Sequence, residues 1–342
     1  MSSEVVLAAQ ESSGRLPALR TAFGMALGFL LAALFHLDLF FLPPLLAVQM
    51  LALMRRPPSL AQGAGVLFLM ALLSVMTLVV SSAFVQQPLI CVALIGLILF
   101  FGFLLDSAGK AMPATFILML GATIPLVVVQ STQAANTLTT ELIGSTAVAL
   151  LTVWAVFAAF PSDAAAAPAA GSRAGSPRAA LTNLLLLSPV LLLFLFDARL
   201  SFVVLVVIVS IIRQRERGMT TQAAFGLLFG NVMGGILATI AFFFVNIQPW
   251  PVFFLLVVLL VGLVLAGRGA VAGAKAPVYT VGLASFIILL GLGVSPLPWN
   301  ASSLFVDRLI NVLLAGAYAV GAVALVSVRS EAEPGPRAEA SG

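Results

Sequence analysis

The residues of this chain that can carry chemistry are few and set among long apolar runs. His36 is its single histidine and Cys91 its single cysteine. His36-Leu37-Asp38 and Asp197-Ala198-Arg199 interrupt apolar stretches, and Asn231 stands inside another. In such surroundings a carboxylate is suited to proton exchange, and a histidine or arginine to meeting an anion. An asparagine there demands a polar partner or a cavity, because an unpaired buried amide is costly. The absences narrow the chemistry further. One cysteine excludes an internal disulfide and a multi-cysteine metal site, and Cys91, inside an apolar run, reads as a packed, inert thiol. No HExxH motif or phosphate-binding glycine loop is present, and no acidic residue is assigned to the middle of a span. An enzyme needs nucleophile, acid-base or metal groups within reach of one another, so catalysis, cofactors and metals are not expected.

The elements that must position these residues follow from composition. Of 342 residues, 62% are hydrophobic and 8% charged, against about 25% charged in soluble domains. The lipid bilayer is therefore the expected solvent. Lipid offers no hydrogen bonds to the backbone, and the runs lack barrel-type alternation, so the fold class is all-α and polytopic. Apolar runs suggest spans near 21–36, 39–54, 61–84, 88–105, 111–130 and 141–160. A second set lies near 179–196, 200–212, 220–245, 250–267, 276–294 and 305–328. The expected architecture is about twelve transmembrane helices in two parallel six-helix repeats.

With the amino end inside, 14 of the 16 lysines and arginines fall on the cytoplasmic side and only Arg199 and Arg308 outside, an asymmetry that supports both the orientation and the span count. A net charge of +4 dispersed over short loops reads as a topology signal, not a nucleic-acid surface. The early residues carry Glu4 and Glu11 and no convincing cleavage site, so the amino end is expected to be retained. The organisation expected is a cytoplasmic tail over 1–20, a first membrane half over 21–160, and a flexible Ala/Ser/Gly/Pro-rich cytoplasmic linker over 161–178. A second half over 179–328 and a cytoplasmic tail over 329–342 complete it. Arg20, Arg55 and Lys110 recur as Arg178, Arg213 and Arg268, each 158 residues later. This suggests a duplication with a pseudo-twofold axis along the membrane normal. The alternative is two unrelated halves whose basic loops align by chance.

Between the first two basic boundaries of each half lie 34 residues, 21–54 and 179–212. Two helices from that stretch average about 17 residues, or roughly 25 Å, against a hydrocarbon core of about 30 Å. The turns at Asp38 and Asp197 then sit below the outer surface, in a vestibule where Asp38 or Asp197 exchanges protons and His36 or Arg199 meets an anionic substrate. Alternatively, the bilayer thins or the helices stand upright and the turns are ordinary and solvated. In the ninth run Gly226, Gly230 and Gly234, followed by Ala238, form a small-residue stripe for close helix packing, within one chain or between copies of a homo-oligomer. Asn231 beside the stripe is the position there with a functional suggestion. Pro125 is expected to kink the fifth span. Asp307 and Arg308 belong to a solvated rim, with Trp299 as an interface anchor.

Leu19-Arg20-Thr21, Leu42-Pro43-Pro44, Arg55-Arg56-Pro57-Pro58, Phe100-Phe101-Gly102-Phe103, Gly121-Ala122-Thr123-Ile124-Pro125 and Val153-Trp154 through Phe160-Pro161 together resemble the fusaric-acid-resistance and aromatic acid exporter superfamily, in particular its short bacterial branch. The similarity runs over roughly 19–328. It implies a bacterial inner-membrane exporter of aromatic carboxylates or related amphiphilic anions, working with a periplasmic adaptor of the membrane-fusion type. The longer members carry a large cytoplasmic domain between and after their membrane halves, whereas the linker over 161–178 is short, a departure that bears on any role attributed to that domain. The expected function is a proton-driven secondary exporter, with Asp38 and Asp197 as proton carriers and Arg199 as an anion contact. The acidic, glycine-containing signature of the major facilitator superfamily is absent where Arg55-Arg56-Pro57-Pro58 stands. The alternative from another class is a non-transporting scaffold or assembly subunit of an envelope complex, which would need no charge inside its spans.

Overall fold

The computed structural model describes residues 3–84, 86–161, 175–196 and 221–294, with the isolated positions 208, 209, 212 and 321. The described residues form ten α-helices and no strand. In chain order these are α1 (Ser3–Leu34), α2 (Leu42–Leu53), α3 (Leu60–Ala83), α4 (Pro88–Ser107), α5 (Ala111–Gln130) and α6 (Thr132–Ala159). After them come α7 (Pro177–Phe196), α8 (Thr221–Ile247), α9 (Pro251–Val271) and α10 (Ala276–Val294). Six helices are long and apolar enough to cross a membrane, among them Leu60–Ala83, Thr132–Ala159 and Pro251–Val271, as suits a polytopic membrane protein. The eighth and twelfth apolar runs, with Asp197, Arg199, Trp299, Asp307 and Arg308, lie outside the described residues apart from the isolated positions.

The helix α3 is turned inside out relative to one of a soluble protein. On α3 the buried positions are Gly63, Met70, Ser74, Thr77 and Ser81, while Leu60, Phe68, Leu72, Val75, Met76 and Val79 face outward. In lipid nothing is gained by hiding leucine from solvent, so helix contacts select small residues that let backbones approach. A capping box starts this helix, Gln62 N donating to Ser59 Oγ and Ser59 N to Gln62 Oε1.

At the centre lies α2, whose residues Leu42 through Val48 are all buried. With 12 residues it is about 18 Å long, too short to cross alone. It packs on α1 and α6; α4 packs on α5 and α7, and α8 on α10. Two reciprocal contacts link the halves, α1 against α9 and α4 against α7. Ala22, Met25 and Phe29 on α1 are fully buried, and so are Ala180, Asn183 and Leu187 on α7, each 158 residues on.

Two boundaries differ from the sequence reading. Residues 3–20, expected as a tail, continue α1, which passes through Pro17. The sixth span was expected to open at residue 141, yet α6 opens at Thr132, where the Ser131 hydroxyl accepts from Ala134 N and caps the helix. The added turns, Thr-Gln-Ala-Ala-Asn-Thr, are too polar to register as an apolar run. The fifth helix keeps the bounds read from the sequence, Ala111–Gln130, with Pro125 inside it.

Candidate functional site

Charge separates to the two ends of the bundle. The described lysines and arginines gather at one end: Arg15 and Arg20 lie where the apolar run of α1 opens, and Arg55, Arg56, Lys110, Arg178, Arg268 and Lys275 sit where α3, α5, α7 and α10 begin and α2, α4 and α9 finish. Polar ties knit this basic end. Arg20 donates from Nε to the Phe160 carbonyl at 2.9 Å and from Nη2 to that of Pro161 at 2.6 Å. Trp154 Nε1 donates to the Pro58 carbonyl at 2.8 Å, and Ser176 N to Ser107 Oγ at 2.9 Å. Beside Arg20 an apolar cleft of about 300 Å³ opens between α1, α6 and α9, lined by Phe23, Leu27, Leu30, Val156, Phe160 and Leu256 among others.

The opposite end holds the α1–α2 turn. Its first residues close α1 with two reversed bonds, His36 N to Ala33 O at 3.2 Å and Leu37 N to Ala32 O at 3.0 Å. This is the Schellman arrangement, which needs a left-handed residue at the position His36 occupies, and His36 has φ 52°. The same pair of bonds closes α4, Gly109 N to Asp106 O and Lys110 N to Leu105 O, with Gly109 at φ 81°. His36 is exposed and Asp38 half-buried. The backbone accounts for the placement of His36, which stands where glycine usually does.

The next polar atom is one the sequence reading left out. Leu39 N donates to Glu141 Oε2 at 3.2 Å, and the Asp38 amide also turns to this carboxylate. Glu141 lies ten residues beyond the Ser131 cap, roughly 15 Å along α6, so α6 runs on by nearly three helical turns past the α1–α2 turn. Leu37 Cδ2 would lie 3.5 Å from a Cβ placed on Gly144, which holds the turn to the same stretch of α6. On its other side Phe29, Phe40 and Phe254 stack, with ring centroids 5.4 to 6.1 Å apart. One helical turn below Glu141, Ser145 is fully buried and its hydroxyl has no hydrogen-bond partner among the described residues.

Asn231 is elsewhere. It is buried on α8, where Ser285 Oγ of α10 donates to its Oδ1. The glycine stripe forms the same seam. A Cβ on Gly230 would strike the Val278 carbonyl and one on Gly234 the Gly282 carbonyl, whereas one on Gly226 would meet only Val278 Cγ2, at 3.0 Å. The structure therefore brings Asp38 and His36 onto one turn with Glu141 beside it, and keeps Asn231 apart in a packing seam. Asp197 and Arg199 lie outside the described residues. Glu141 was missed because the sixth helix was begun at that residue; the Ser131 capping signal would have carried the helix back and placed the carboxylate inside it.

Residues 17–159 match a family described as "Protein of unknown function (DUF2955)". The match runs from within α1 to the last residue of α6. No curated protein and no solved structure matches the chain.

Proposed function

We propose that the chain is a bacterial inner-membrane secondary transporter, a proton-driven exporter of aromatic carboxylic acids or related amphiphilic anions. The observation that carries this reading is the turn in which the Asp38 and Leu39 amides meet Glu141, at the one end of an apolar bundle free of described lysines and arginines. A half-buried carboxylate on a membrane helix is uncommon and favours a proton or substrate path. The basic residues gathered at the other end support cytoplasmic termini. The reciprocal packing of α1 on α9 and α4 on α7, with buried positions 158 residues apart, supports two parallel six-helix repeats rocking about a central path. The resemblance to the aromatic acid exporters supports the substrate class and a periplasmic membrane-fusion adaptor.

The test is gradient-dependent efflux of a panel of aromatic acids from cells expressing the wild type, Asp38→Asn, Asp197→Asn or the double variant at matched membrane abundance. Loss of efflux in the variants supports coupling through these carboxylates, and full activity sinks that mechanism. Absence of transport by the wild type with its adaptor present favours the scaffold.

A further inference from the structure

We propose that Glu141 is a proton-binding site whose charge state latches and releases the α1–α2 turn. Ionised, the Glu141 carboxylate accepts from the Leu39 amide, at 3.2 Å, and from the Asp38 amide, and pins the turn to α6. Amide bonds to an ionised acceptor are about twice as strong as those to a neutral one. Taking up a proton from the aqueous side of the turn converts an acceptor-only group into one with a donor, weakens both amide bonds and frees the turn. An acceptor lies on the same face of α6: Ser145, four residues on, has a buried hydroxyl with no hydrogen-bond partner among the described residues. In the proposed released state the neutral carboxyl swings from the amides to Ser145, which satisfies a hydroxyl that is otherwise costly to bury.

Among the described residues few other charges intervene. The described helices packed on α6 are chiefly α1, α2, α3 and α5. Of these α2, α3 and α5 carry no titratable group, and the charged residues of α1 lie toward its other end. The turn itself brings the exposed His36 and the carboxylate of Asp38.

The inference rests on the transport reading and names its proton site, but its test needs no substrate and can fail while export stands. The first readout is infrared difference spectroscopy of the purified protein across a pH titration. Subtracting the Glu141→Gln spectra from those of the wild type cancels the other eleven carboxyls, and this double difference is expected to hold one protonated-carboxyl band that grows on acidification, persists in an Asp38→Asn background and shifts in a Ser145→Ala background. The second readout is alkylation of Leu37→Cys in a Cys91→Ala background. The ratio of labelling with Glu141 to labelling with Glu141→Gln cancels thiol ionisation, and is expected to rise several-fold on acidification. No band in the double difference, or a ratio that does not change with pH, overturns the proposal. Efflux measured in parallel separates the two readings, since export that ignores Glu141→Gln leaves the latch intact while uncoupling it from transport.

Discussion

Arg20 on α1 holds the end of α6 through Phe160, its Nε donating to that residue's carbonyl at 2.9 Å. Its Nη2 takes the Pro161 carbonyl at 2.6 Å and its guanidinium lies 4.9 Å from the Phe157 ring centroid. The final carbonyls of a helix have no partner within it, and here a side chain from a neighbouring helix supplies one. Read in the sequence as a charge marking the cytoplasmic boundary, Arg20 is 8% exposed and fastens two helices together.

Arg20→Ala is accordingly expected to destabilise the protein by about 2–4 kcal/mol, since it removes two charge-assisted hydrogen bonds and a cation–π contact. Arg20→Lys recovers less than half, because one ammonium cannot reproduce the planar fork that reaches both carbonyls. Thermal unfolding in detergent at matched protein concentration checks both. Equal stability of the two variants would show that charge alone matters.

His36→Gly is expected to stabilise by about 0.5–1 kcal/mol, because the left-handed position at the end of α1 penalises any side chain. His36→Val is expected to destabilise by more than 1 kcal/mol, its branched Cβ being least tolerant there. The same melts decide, and efflux by His36→Gly tests whether the imidazole is used at all.

The α8–α10 seam separates glycines that pack from glycines that do not. Gly234→Ala drives a methyl into the Gly282 carbonyl, backbone that cannot swing aside, and is expected to cost about 1–3 kcal/mol. Gly267→Ala on α9 meets nothing within 4 Å and is expected to stabilise its helix by up to about 1 kcal/mol. If both variants melt alike, the seam is looser than its geometry.

A double-mutant cycle of Asn231→Ala and Ser285→Ala measures the bond across that seam. Coupling of about 0.6 kcal/mol, and no more than about 1.7, is expected for a hydrogen bond between membrane helices. Zero coupling would remove the pair from the account of the seam.

Much of this architecture is legible in the chain before it folds. Apolar run length against bilayer thickness sets the all-helical class and the helix order, because in lipid a helix must satisfy its own backbone. The glycines at intervals of four announce close approach of another helix. The 34-residue hairpin announces two short helices joined by a turn, and α2, with 12 residues, is short.

Which residues meet is another matter, decided by tertiary structure alone. Leu39 and Glu141 are 102 residues apart and Arg20 and Phe160 are 140, and no local pattern encodes a contact across such separations. Burial adds to the meaning of a residue type in the same way: Arg20, a charge at the boundary of the apolar run, also clamps two helices, and His36 also closes α1 through its backbone. Glu141, hidden at the edge of an apolar run, gains its importance only when α6 extends back to Thr132 and the α1–α2 turn folds against it. Periodicity fixes which face of a helix is covered; the packing of the neighbours determines what covers it.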